Sequence, residues 1–138
     1  MSQKIMTNTN DTLQATALDH VTLYVKNLTE SVNFYRTLFG FNVKKDQLED
    51  RSQIIGNSAI TLCLYEDPER VQPGGIAHFG FHVQNFSLII ETCEVLDIPM
   101  PYGIVAWEKS RSVYIVDPNG YEIELSEVFG GGLVRNRD

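Results

Sequence analysis

The strongest constraint on the fold is a repeat inside the chain. Residues 20–28, HVTLYVKNL, align without a gap on residues 78–86, HFGFHVQNF. His, Val and Asn coincide, and apolar positions fall on apolar positions. Each segment runs into a stretch with helical patterning, TESVNFYRTLFGF in the first case and SLIIETCEVLDI in the second. The halves also end alike, because NSAITLCLYED can be laid on GYEIELSEV with Thr61 opposite Glu124. Two copies make a duplicated module rather than a solenoid, which stacks many. The seam falls in EDPERVQPGG, residues 66–75, where Pro, Gly and charge concentrate. The expected organisation is one domain over 17–129, built from modules 17–66 and 76–129. Loose tails are expected at 1–16 and 130–138.

Local patterning gives each half the order βαβββ, an α+β arrangement. His20 to Val25 alternates between apolar and polar residues, as a half-buried strand does. Asn27 is placed to cap a helix, with Glu30 three residues on. Val32, Tyr35, Leu38 and Phe39 follow at helical spacing, and Gly40 is a good stop. Strands are expected near 41–45, 51–55 and 58–65, the last two joined through Gly56-Asn57. The second half repeats the scheme. Its first strand covers 77–83, Asn85 caps a helix reaching about Leu96, and the last two strands cover 112–116 and 121–126. Asp117-Pro118-Asn119-Gly120 joins those two and is a strong turn sequence.

Composition removes some classes of function. A net charge of −7 on 138 residues disfavours nucleic acid and anionic membrane surfaces, which call for basic patches. No run approaches the ~20 apolar residues of a membrane span, and the polar first sixteen residues lack the apolar stretch of a signal peptide. Cys63 and Cys93 have no CxxC spacing and read as reduced thiols of a cytoplasmic protein.

Strand alternation sorts the remaining residues by face. One face carries Val21, Leu23 and Val25, then Ile60, Leu62 and Leu64, then Phe79, Phe81 and Val83, then Tyr121, Ile123 and Leu125, and is expected to pack against the helices. The other carries His20, Thr22 and Tyr24, then Thr61 and Cys63, then His78, Gly80 and His82, then Glu122, Glu124 and Ser126. A solvated face is usually rich in Lys, Arg and Glu. Here Lys and Arg are missing, which suits the lining of a concave cavity. Two histidines at equivalent repeat positions and a carboxylate at the same strand phase form the ligand set of a facial triad, which leaves coordination positions open. Parity alone does not choose between Glu122 and Glu124. Glu122 lies nearer the turn and is expected to be the more exposed. Tyr24 and His82 are repeat mates, each four residues beyond a histidine, and should share the ligands' face. His82 has an acid–base side chain suited to proton transfer.

LDHVTLYVKNLTESVNFYRTLFGF, AHFGFHV and SVYIVDPNGYEIEL together resemble the vicinal-oxygen-chelate superfamily. It includes glyoxalase I, fosfomycin-resistance proteins, bleomycin-binding proteins and extradiol dioxygenases. The resemblance implies paired βαβββ modules forming an incomplete barrel around a metal site, often in a homodimer. It implies one divalent metal (Fe, Mn, Zn or Ni) on His20, His78 and Glu124, the last from the element D-P-x-G-x-x-x-E. It implies a small substrate chelated through neighbouring oxygens. Tyr114 falls where the family often places a tyrosine that hydrogen-bonds the bound oxygen, so Tyr114 and His82 are the catalytic candidates. Thr22, Tyr24, Thr61 and Cys63 are the substrate-binding candidates. Thr22 matches a functional threonine of the fosfomycin-modifying relatives. Thr61 stands where glyoxalase I-type sites have a fourth ligand. Bleomycin-binding relatives lack the ligand set, so its presence favours an enzyme over a capture protein. An extradiol-type dioxygenase is the leading expectation. A lyase, an isomerase, a fosfomycin-type transferase and a small-molecule-binding resistance protein are the alternatives.

Overall fold

The computed structural model describes residues 17–130. The expected tails at 1–16 and 130–138 lie outside the described residues, apart from Gly130.

The first half forms strand β1 (Val21–Val25), helix α1 (Leu28–Phe39) and strands β2 (Asn42–Gln47), β3 (Ser52–Gly56) and β4 (Thr61–Glu66). The second forms β5 (Phe79–His82), α2 (Phe86–Val95), β6 (Val105–Ala106), β7 (Arg111–Val116) and β8 (Glu122–Ser126). Two short 3-10 turns, Pro68–Arg70 and Pro73–Gly75, bridge the halves. The topology repeats. One sheet has the order β1-β4-β3-β2 and the other β5-β8-β7-β6. In each, the first strand is an edge strand parallel to the last, and the other pairs are antiparallel. No strand pairing joins the two sheets, and they do not close into a barrel.

Local chemistry explains the element ends. The Asn27 side chain accepts a hydrogen bond from the Glu30 N–H at 2.8 Å, satisfying one of the donors a helix start leaves over. Gly40 adopts φ +70° and returns its N–H to the Arg36 carbonyl, a left-handed close that favours glycine. The second helix departs from expectation. Asn85 sits at φ +55° and makes no side-chain cap bond. Asparagine tolerates the left-handed region, so here it turns the chain instead of capping it. Strand β2 runs to Gln47, beyond its expected end, and carries a bulge between Val43 and Lys45.

The apolar face lies inward as expected. Val25, Leu62, Leu64, Val113, Ile115, Ile123 and Leu125 are fully buried and join Leu23, Tyr35, Phe41 and Phe81 in one cluster spanning both modules. Phe39 and Phe41 of the first half meet Phe81 of the second edge to face, with ring centroids 5.2 and 5.8 Å apart. A polar lock accompanies them. The Tyr35 hydroxyl donates to the buried Asp117 carboxylate at 2.9 Å. Asn119 accepts from the Lys26 N–H and donates to Ser31 Oγ. The Tyr121 hydroxyl donates to the Tyr24 carbonyl. The turn that starts β8 is thereby fastened to the end of β1.

Candidate functional site

The second sheet holds the densest group of chemically active side chains. Glu124 lies mid-strand on β8, and its register partners are Gly80 on β5 and Tyr114 on β7. Ser112 and Tyr114 share its face because β7 alternates. His78 precedes β5 directly. Its Nε2 is 3.2 Å from Glu124 Oε1, and its Nδ1 is 3.7 Å from Glu122 Oε1. Glu124 is almost fully buried, with a side chain 5% exposed, against 28% for Glu122. The expectation that Glu122 is the more exposed carboxylate therefore holds, although it too stands beside the histidine.

Burying a carboxylate is costly unless hydrogen bonds compensate. Ser112 Oγ donates to Glu124 Oε2 at 2.8 Å, and Ser126 Oγ lies 3.4 Å from the same oxygen. Trp107 Nε1 donates to Ser112 Oγ at 2.9 Å. Burial first, then the negative charge of Glu124, raises the Tyr114 pKa above its ordinary value, so its hydroxyl stays a proton donor in the neutral range. The Tyr114 ring stands edge-on to His78 on one side and Tyr102 on the other, each at 5.5 Å.

The first sheet holds the other candidates. Thr22 pairs with Cys63, and Tyr24 with Tyr65, across β1 and β4. Thr61 Oγ1 accepts from Lys44 Nζ at 2.7 Å. The Tyr24 hydroxyl accepts from Arg70, whose guanidinium also lies over the tyrosine ring. His20 is exposed at the start of β1, with Nδ1 2.7 Å from Asp19. It borders a cleft of about 140 Å³ with Thr61, Phe79 and Gly80. His82 borders a different, larger cleft of about 430 Å³, between Phe39, Asn57 and Ile89.

The structure thus brings His78, Glu124 and Tyr114 together. It does not gather His20, His78 and Glu124 into one group within the chain. Among the described residues, no set of three or more His, Cys, Asp or Glu side chains is arranged to hold a metal ion. The donor chemistry of the pair nevertheless suits a divalent ion, since one imidazole nitrogen and one carboxylate oxygen already converge and lack only a third ligand. Sequence reasoning missed Ser112, Trp107 and Tyr102. Ser112 was legible in principle, being two residues from Tyr114 in a strand.

The family model of the glyoxalase/bleomycin resistance protein/dioxygenase superfamily matches residues 17–125. The chain belongs to this superfamily. Among its relatives, glutathione transferase FosA of Serratia marcescens is 26% identical over 117 residues, 79% of each chain. The fosfomycin resistance protein FosX of Listeria monocytogenes, in a hexagonal crystal form, superposes with a TM-score of 0.72 at 20% identity, covering 84% of this chain and 96% of that one. A glutamate-to-glutamine mutant of that FosX, complexed with Mn(II) and 1S,2S-dihydroxypropylphosphonic acid, gives 0.69 at 21% identity, covering 83% and 93%. Lactoylglutathione lyase of Agrobacterium tumefaciens gives 0.65 at 22% identity, covering 83% and 96%. No helix among the described residues is long and apolar enough to cross a membrane.

Proposed function

We propose that this chain is a metal-dependent enzyme that adds a nucleophile to, or rearranges, a small substrate chelated through neighbouring oxygens, in the manner of the fosfomycin-modifying members of the superfamily. The observation that carries the reading is the convergence of His78 Nε2 and Glu124 Oε1 at 3.2 Å, beside a tyrosine whose hydroxyl stays protonated. A divalent ion held by this pair supplies a Lewis acid for a substrate oxygen. Tyr114 donates a hydrogen bond to that oxygen. Thr22, Tyr24, Thr61 and Cys63 supply an opposing wall. His82 borders a separate cleft, so its part is confined to the rim.

The third ligand in this reading is His20 from a second copy of the chain, in a homodimer. His20 directly precedes the edge strand β1 of the first sheet and forms no group with the His78–Glu124 pair, and a two-fold arrangement would deliver it to the neighbour's second sheet. The dioxygenase expectation gives way to the alternatives, because FosA, FosX and the lyase are the relatives in view. Glutathione-linked isomerisation of the glyoxalase I type is disfavoured. The place of its fourth ligand is taken by Thr61 under a lysine ammonium.

Metal analysis of purified protein, with turnover assays, tests the reading. The expected result is Mn(II) or a similar ion bound by the wild type, sharply reduced in His20→Ala and in His78→Ala. Turnover of fosfomycin, with or without glutathione, is expected without oxygen uptake. Mixing the two variants should restore part of the binding, because a mixed dimer contains one intact ligand set. Absence of rescue would place all ligands within one chain. Oxygen uptake on catechols would return the dioxygenase. Ligand capture without metal or turnover would make the chain a binding protein.

A further inference from the structure

The carboxylate of Glu124 is held from behind by a directional chain of hydrogen bonds. An indole N–H can only donate. Trp107 Nε1 therefore fixes Ser112 Oγ as an acceptor on that side. The single Ser112 proton then goes to Glu124 Oε2, a charged acceptor 2.8 Å away, in preference to the neutral Ser126 Oγ at 3.2 Å. Both serines near this oxygen are buried, Ser112 at 0% and Ser126 at 3% exposure, so bulk water does not compete. Beyond the strand, the chain folds back over the same oxygen. Ser110 Oγ accepts from the N–H groups of Val128 and Phe129 and anchors the backbone leading into Gly130. A Cβ added to Gly130 would lie 2.6 Å from Glu124 Oε2 and 2.5 Å from Ser126 Oγ. Only a residue without a side chain lets the backbone pass this close.

We infer that Trp107 and Ser112 are positioning residues. They commit Oε2 to the protein, with Gly130 closing over it, so that Oε1, the oxygen beside His78, is the one Glu124 would present to a metal. The inference rests on the reading of Glu124 and His78 as metal ligands. Outer hydrogen bonds of this kind orient a ligand and set its basicity.

Mn(II) titration of the full chain, with free Mn(II) followed by electron paramagnetic resonance, gives the test. Ser112→Ala should weaken Mn(II) binding by roughly 10–100-fold, the usual effect of losing such a partner. Trp107→Phe leaves the serine but frees its proton to rotate, and should weaken binding by a smaller factor. Gly130→Ala presses a methyl group on Glu124 Oε2 and Ser126 Oγ, so it should weaken binding, and the melting temperature of the metal-free chain is recorded beside it. Trp107 is the only tryptophan in the sequence, which adds a spectroscopic readout. Its emission should shift when Zn(II) binds the wild type, and saturating Zn(II) should no longer shift it in Ser112→Ala. Wild-type affinity in Ser112→Ala would overturn the inference while leaving the metal site standing. A wild type that binds no Mn(II) would overturn both. Should Ser112→Ala fail to fold, unchanged affinity in both Trp107→Phe and Gly130→Ala would overturn it equally.

Discussion

Replacing Tyr35 by Phe isolates the polar lock between the two modules. The Tyr35 ring is fully buried, and it packs against Phe34, Phe39 and Phe41 with centroids 5.2–6.2 Å away. Phenylalanine keeps those contacts and removes only the hydroxyl. What is lost is one hydrogen bond of 2.9 Å to a carboxylate. Bonds to charged partners contribute about 1.5–3 kcal/mol. Asp117 keeps its bonds from the N–H groups of Asn119 and Tyr121 and from Asn119 Nδ2. The loss should therefore sit near the lower end of that range, about 1.5–2 kcal/mol. For a domain of this size that is a fall of roughly 5–10 °C in melting temperature, readable by calorimetry near neutral pH. A second signature follows from the titration of the phenol. Burial first, then the charge of Asp117, raises the Tyr35 pKa well above its ordinary value of 10.0. A raised folded-state pKa means that the unfolded chain gives up its proton first as pH rises. This contribution is complete below about pH 10 and is lost above it. The wild type should then lose stability more steeply than Tyr35→Phe above about pH 10. A melting temperature unchanged by the substitution, or parallel alkaline slopes, would refute the assignment of this bond as the lock.

Three other substitutions probe separate features. Gly56→Ala places a Cβ 1.9 Å from the Ile60 carbonyl oxygen at φ +149°; both contact and backbone are fixed, so a loss above about 2 kcal/mol is expected in denaturant titration. Asn27→Ala removes the α1 cap bond and should cost about 1 kcal/mol by the same measurement. Tyr114→Phe should leave Mn(II) affinity within about threefold, because the outer ring contacts persist, but should slow turnover by about 10²-fold or more if its hydroxyl meets developing charge; an unchanged rate would reduce Tyr114 to packing.

Much of the fold was legible because its signals are local. Alternation placed the strands, the repeat doubled the evidence, and Asn27 and Gly40 bounded α1 through bonds that span only a few residues. Asn85 defeats a reading from sequence because one residue type serves both a cap and a left-handed turn, and only the backbone decides. The bulge at Lys44 was invisible because bulges belong to a strand pair, not a strand. Strand phase put Glu122 and Glu124 on one face but could not measure burial. That difference comes from Ser112 and Gly130, which reach Glu124 from elsewhere in the chain. The position of His20 was the least legible feature. Phase fixes which face of a sheet a residue occupies and says nothing of how two sheets are set against each other.

That last point follows from how the duplication has diverged. At the junction of β1 with the β7–β8 turn, α1 supplies Ser31 and Tyr35, and the Asp117 turn is bonded shut. At the equivalent junction, where β5 meets the β3–β4 turn, the repeat mates of Ser31 and Tyr35 are Ile89 and Cys93. The polar lock has no counterpart there, and the cleft beside His82, Asn57 and Ile89 stays open. The Glu124 position has diverged in the same way. Glu124 keeps a carboxylate backed by Ser112, while its mate Thr61 is held by Lys44. The two sheets therefore carry different side chains at matching places, one an imidazole and a carboxylate and the other an imidazole and a threonine under a cation. Under the proposed function, the second sheet would hold the metal and the first would complete and orient what the metal holds. The locked junction is the one that fixes the start of β8, and with it the register of Glu124.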